Sequence, residues 1–174
     1  PITFGTMTGA NTLPRKNEFL YSASAPLVLN NRYFVLAATA VNANANIVNN
    51  SVGSANTLTI NTDLVVSGTG DNTSKGLTLQ GANTGANTFA GKIVDGTGTP
   101  IVLLKAGNGT WVVSGNNTFS GGTTVNAGLL QANGANALGA GNVTVSAGTL
   151  QIDTADAMAD TATLRLPSAT TKKP

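Results

Sequence analysis

Thr123-Thr124-Val125-Asn126-Ala127-Gly128-Leu129-Leu130-Gln131 is answered twenty positions later by Val143-Thr144-Val145-Ser146-Ala147-Gly148-Thr149-Leu150-Gln151. A second echo, at thirty, links Asn87-Thr88-Phe89-Ala90-Gly91 to Asn117-Thr118-Phe119-Ser120-Gly121. Recurrence at such spacings, built from Gly, Asn, Thr and alternating aliphatics, marks a solenoid, in which no unit buries its apolar face without its neighbours. A β-sandwich also spaces its turns regularly, but its sequence need not repeat. If successive coils lie about 4.8 Å apart, Val125 sits beneath Val145 and Leu130 beneath Leu150 as interior columns. Thr124 with Thr144, and Gln131 with Gln151, then form outward ladders. Gly128 and Gly148 fall at equivalent corners, where a left-handed or otherwise restricted backbone excludes a Cβ. The twin Asn-Thr-Phe motifs are expected at equivalent corners too, with Phe89 and Phe119 packed inside and twenty residues as the length of one coil.

The strand signals fit this plan. Leu58-Thr59-Ile60, Leu64-Val65-Val66, Leu77-Thr78-Leu79, Ile93-Val94, Ile101 to Leu104, Trp111-Val112-Val113, Val143-Thr144-Val145 and Leu150-Gln151-Ile152 are short β-branched or aliphatic runs between Gly, Asn, Asp and Thr clusters. None of this stretch has a helical period. Residues 1–50 differ: they hold Pro14-Arg15-Lys16, both tyrosines, the only glutamate, and two runs, Leu27-Val28-Leu29 and Tyr33-Phe34-Val35-Leu36, that read as strands. This segment is expected to cap the first coil or to dock on a neighbouring subunit. From Val41 to Asn56 the Asn-rich alternation is either a polar linker or a set of amide ladders. Ala155 to Leu166 is read as a loop and a last strand ending at Pro167. The expected organisation is 1–50, an N-terminal cap or docking segment; 51–166, an all-β parallel β-helix; and 167–174, a tail.

Charged residues make up only 9% of the 174, against about 25% in an ordinary soluble domain. The surface must then be neutral and polar. The net charge of +2 carries no basic stripe: Arg165, Lys172 and Lys173 lie in the last ten positions and Arg15-Lys16 form the other pair, so nucleic acid is not an expected partner. The longest apolar run, Tyr33 to Val41, is interrupted by Thr39 and falls far short of the roughly 20 residues of a spanning helix. The chain begins with Pro1 and shows no leader, so it is expected to be processed or a fragment.

Neither Cys nor His occurs, which excludes disulfides and thiolate metal sites and removes two common catalytic groups. The acids are Glu18, Asp63, Asp71, Asp95, Asp153, Asp156 and Asp160. Parallel β-helices include polysaccharide-cleaving enzymes, which need paired carboxylates or a base with Ca²⁺. Asp153, Asp156 and Asp160 are the one cluster, and a solvated turn accounts for it more simply. Trp111 is either a sugar-stacking platform or an inward packing residue, the latter preferred. The sequons Asn72-Thr73-Ser74 and Asn116-Asn117-Thr118 follow from an abundance of Asn and Thr. No catalytic, cofactor-binding or metal residue is assigned, and no cofactor is expected.

The run Lys105-Ala106-Gly107-Asn108-Gly109-Thr110-Trp111-Val112-Val113-Ser114-Gly115-Asn116-Asn117-Thr118-Phe119-Ser120-Gly121-Gly122-Thr123-Thr124-Val125-Asn126-Ala127-Gly128 closely resembles the autotransporter-associated β-strand repeat, also called the passenger-associated transport repeat. Ala137-Leu138-Gly139-Ala140-Gly141-Asn142-Val143-Thr144-Val145 resembles its usual continuation. The likeness is specific over 105–151 and weaker over 76–97. It implies a right-handed parallel β-helix outside a bacterial cell, a stalk or wall more than a catalyst. No membrane β-barrel follows in the sequence, so autotransport by this polypeptide alone is not expected. The leading expectation is an extracellular structural protein that self-associates, through its solenoid ends and N-terminal segment, into or onto a surface fibre. The alternative is an adhesive passenger whose Thr and Asn ladders bind surface glycans, and a carbohydrate-cleaving enzyme ranks third.

Overall fold

A computed structural model describes residues 2–4, 18–31, 33–37, 44–68, 70 and 72–167. The Pro14-Arg15-Lys16 run, Asn42-Ala43, Asp71 and the Lys172-Lys173 pair lie outside these residues.

The described chain is built of short strands and contains no helix. In order they are β1 (Ile2–Phe4), β2 (Glu18–Tyr21), β3 (Leu27–Leu29), β4 (Phe34–Ala37), β5 (Ala45–Asn49), β6 (Leu58–Ile60), β7 (Leu64–Ser67), β8 (Lys75–Gly81), β9 (Asn87–Phe89), β10 (Ile101–Lys105), β11 (Thr110–Val113), β12 (Thr123–Val125), β13 (Leu129–Ala132), β14 (Val143–Val145), β15 (Thr149–Ile152) and β16 (Leu164–Arg165). They fall into three sheets: β1-β4-β7, β16-β14-β12-β10-β8-β5-β2, and β15-β13-β11-β9-β6-β3. Every pairing between these strands is parallel. The chain visits the sheets in turn and returns one strand further along each, which is a parallel β-helix.

Interior columns follow from the period-2 pleat. Ile47, Leu79, Lys105, Val125 and Val145 stack in one sheet. Leu29, Ile60, Phe89, Val113, Ala132 and Ile152 stack in another. Most of these side chains are fully buried, and each buried aliphatic or aromatic contributes roughly 1.5–3 kcal/mol. Val125 pairs with Val145 and Leu130 with Leu150, as the twenty-residue echo requires.

Coil length is not constant. Glu18 pairs with Asn46, 28 positions on; Ala45 with Leu77, 32 on; and Lys75 with Ile101, 26 on. Thereafter Leu103 pairs with Thr123 and Thr123 with Val143, both at 20. The larger part of the shortening happens on the third side and the rest at the corner between the other two sheets. β4 and β7 form a true sheet there, but the next coil adds only a single bridge, Leu64 to Ile93. Beyond it the side is made of arcs without strands, packed by buried Phe119, Leu138 and Ala157. These arcs still stack through backbone hydrogen bonds: Thr118 N–H to Ile93 O (3.1 Å), Ala140 N–H to Phe119 O (2.8 Å) and Leu138 N–H to Ala157 O (2.9 Å).

Several sequence expectations change. The twin motifs are not at equivalent corners: Asn87-Thr88-Phe89 is strand β9, whereas Asn117-Thr118-Phe119 lies on the third side above Ile93. Their thirty-residue spacing combines a 24-residue step, from Asn87 to Trp111, with a further advance around the coil. Ile93-Val94 is a bridge and not a strand. The Asn-rich stretch contains strand β5, with Asn49 buried, and so is no linker there. Residues 1–50 supply β1 to β5, including β2, which the sequence reading had not marked, and Phe19 of β2 packs edge-on to Phe34 with ring centroids 5.5 Å apart.

Candidate interaction surface

Polar side chains also take places in the interior columns. Asn87 stands between the levels of Leu58 and Trp111 and is buried. Its Oδ1 accepts from Asn49 Nδ2 (2.6 Å) and from the Leu58 N–H (2.9 Å), while its Nδ2 donates to Gly85 O (3.1 Å) and Thr110 O (2.9 Å). One amide thereby ties three coils. Asn117 performs the same service on the third side, with Oδ1 accepting from the Ile93 N–H (2.8 Å) and Nδ2 donating to Ala137 O (2.7 Å). The shared motif is an amide clamp beside a buried Phe, used on two different sides. Lys105 fills the column place between Leu79 and Val125, fully buried, and its Nζ donates to Ala106 O (2.7 Å), Gly107 O (2.7 Å) and Ala127 O (3.0 Å). Burial lowers its pKa to about 8, because the charged form loses its hydration. Among the described residues no buried side-chain polar atom lacks a partner, as a close-packed interior demands.

Outward positions are neutral. Thr124 pairs with Thr144 and Gln131 with Gln151, all at least partly exposed, so the expected ladders exist. Asn61 Nδ2 donates to Asn30 Oδ1 (2.8 Å) and Asn136 Nδ2 to Asn116 Oδ1 (3.1 Å), adding amide rungs at the corners. Gly128 and Gly148 both adopt positive φ, +65° and +77°, and a Cβ on Gly148 would lie 2.7 Å from Gly128 O. Their backbones therefore stack too closely for any other residue.

The candidate acids serve turns. Asp153 Oδ1 accepts from Gln151 Nε2 (2.6 Å). Asp156 has φ +58° and its carbonyl accepts from the N–H of Asn136, itself at φ +55°, so these are corresponding left-handed corners one coil apart. Asp160 is exposed nearby, and no group of three or more potential ligands that could hold a metal ion occurs among the described residues. Asp95 bridges two arcs, accepting from the Ile101 N–H (2.7 Å), the Ser120 N–H (3.0 Å) and the Ser120 hydroxyl (2.5 Å). Trp111 is not a surface platform: it is 1% exposed and its Nε1–H donates to Gln80 O (3.0 Å). Sequence reasoning missed the roles of Asn87, Asn117, Lys105 and Asp95. For the two asparagines the signal was present in the recurrent Asn-Thr-Phe motif, and for Lys105 in a lysine set within an otherwise apolar strand.

Residues 103–132 and 133–152 match the passenger-associated-transport-repeat family. Those residues are the narrow coils, from β10 to β15. Over 61 residues, 35% of this chain, the sequence is 48% identical to the adhesin BmaC autotransporter of Brucella suis biovar 1 (strain 1330). The matched segment is about 2% of that adhesin's length. No solved structure matches the chain. The chain thus carries autotransporter-associated passenger repeats, and its place is the bacterial surface or the extracellular medium.

Proposed function

We propose that the chain is a non-catalytic wall segment of an adhesive, surface-displayed passenger, presenting neutral ladders to a target surface. The observation that carries this is the coincidence of the repeat-matched residues with coils of nearly constant length, which present Thr124 with Thr144 and Gln131 with Gln151 outward and contain no acidic residue. A rigid stack of identical rungs repeats the same hydrogen-bonding groups at about 4.8 Å intervals, which suits many weak contacts made together. Beads coated with the purified chain should adhere to host-type cell or matrix surfaces above an albumin control, without cleaving polysaccharide. Adhesion equal to the control, or release of reducing ends, would overturn the proposal.

Self-association is the second reading, and apolar side chains exposed around the last described coil favour it. Ile152, Leu164 and Leu166 are 49%, 39% and 68% exposed around a groove of about 440 Å³ at the last coil. The coil at the opposite end is longer by roughly half, so head-to-tail stacking would join unequal perimeters. Association of like ends, closed by a two-fold axis, is the form that fits, with residues 1–50 acting as the cap of the wide end. Sedimentation velocity should show a dimer that Leu166→Lys dissociates; a monomer at all concentrations excludes it.

A further inference from the structure

The wide coils carry a surface feature built from residues of two successive coils. On the third side, beside the sheet formed by β4 and β7, lies an open groove of about 650 Å³ lined by Asn30, Asn31, Tyr33, Asn61, Asp63 and Val65, together with Thr62. Its volume is within the range of small-molecule sites. Two walls are apolar: the ring of Tyr33 is 45% exposed and Val65 41%. The rest is a hydrogen-bonding rim. Asn61 Nδ2 donates to Asn30 Oδ1 (2.8 Å), which fixes the orientation of both amides. The Nδ2 group of Asn30 and the Oδ1 of Asn61 then have no other protein partner among the described residues. Asp63 Oδ1 accepts from the Lys92 N–H (2.7 Å), leaving Oδ2 in the same condition.

We infer that this groove is a saccharide-binding subsite, with Tyr33 as the stacking platform and Asn30, Asn61 and Asp63 as the hydroxyl-recognising rim. A sugar ring offers an apolar C–H face and an equatorial belt of hydroxyls that both donate and accept. The groove offers the complement: an aromatic face, donors from Asn30, and acceptors from Asn61 and Asp63 whose hydrogen-bonding capacity the fold does not use. An apolar peptide would leave these rim groups unpaired at a cost. The position also suits the function proposed above, on which this assignment rests, because it adds one defined sugar contact on the broad coils to the repeated weak contacts of the narrow ones.

The test is a binding titration of the intact chain with chitotetraose, cellotetraose, xylotetraose and maltotetraose, followed by amide NMR or isothermal calorimetry. At least one should bind saturably. Tyr33→Ala and Asn61→Ala should each weaken it by about tenfold or more, while Tyr21→Phe leaves it unchanged. Emission of the buried Trp111 reports whether each variant remains folded. No binding by any of the four, or binding that survives Tyr33→Ala in a folded protein, overturns the assignment. Bead adhesion measured in parallel separates the two ideas: adhesion retained by Tyr33→Ala keeps the adhesive function and discards the groove, whereas adhesion absent from the unaltered chain discards the function itself.

Discussion

The lower coils, β2 to β9, and the upper coils, β10 to β15, solve one stacking problem in different ways. Below, each coil has its own length, a third sheet, and a buried amide network of Asn49, Asn83 and Asn87 that absorbs the irregular corners. Above, the coils advance by 19 or 20 residues, the corners close on a glycine at positive φ, and the arcs are packed by a single large apolar side chain each. Irregular coils leave backbone groups without a strand partner, so side-chain amides must satisfy them. Uniform coils satisfy most of theirs by repetition.

The sharpest way to break this contrast is to truncate one side chain in each part. Trp111→Ala removes the largest buried side chain, at the base of the narrow coils, and should cost about 3–5 kcal/mol by urea denaturation; a loss below 1 kcal/mol would mean that the upper core does not depend on its columns. Asn87→Ala in the lower part leaves the Leu58 N–H and one of the two Asn49 Nδ2 hydrogens without an acceptor and should cost about 2–4 kcal/mol. Asn117→Ala strands one buried N–H, that of Ile93, and should cost about half as much. Equal losses at the two sites would erase the proposed difference in reliance on amides.

The smallest effect tests Lys105. Its folded pKa, about 8, lies below its ordinary value of 10.5, so between these two pH values the unfolded chain holds more protons than the folded one. Stability should therefore be flat below pH 8 and rise from about pH 8 to 10.5, with a slope no steeper than about 1.4 kcal/mol per pH unit. Lys105→Met, compared by denaturation at pH 7 and pH 10, should abolish that slope. A slope that persists in the variant assigns it to other groups.

The two parts were also unequally legible. For the upper coils the register of β12 on β14 and β13 on β15, the columns at Val125 and Leu130, and the glycine corners all follow from the echo, because equal coil length turns sequence spacing directly into spatial neighbourhood. In the lower part the spacing changes from 28 to 32 to 26 residues, so no repeated position exists to read. That is why β2 went unseen, the stretch that holds Asn49 reads as either a polar linker or amide ladders, and the Asn87 and Asn117 motifs were assigned to equivalent places. The interior amides and Lys105 escaped notice for a different reason: polar residues are ordinarily placed outside, and only the stacked carbonyls explain their burial. The candidate surface was legible as ladders, but the Tyr33 groove needs residues from two coils of unlike length and leaves no mark in a linear pattern.

The near-constant advance from β10 onward has one more consequence. Because Thr123 occupies the position of Val143, removing or inserting twenty residues at that corner rejoins the chain with each column still in line. The upper part can lengthen or shorten in whole coils, about 4.8 Å at a time, without redesign of its neighbours. The lower part, where every coil is cut to its own measure, has no such freedom, so variation in reach belongs to one end of the molecule and constancy of contact to the other.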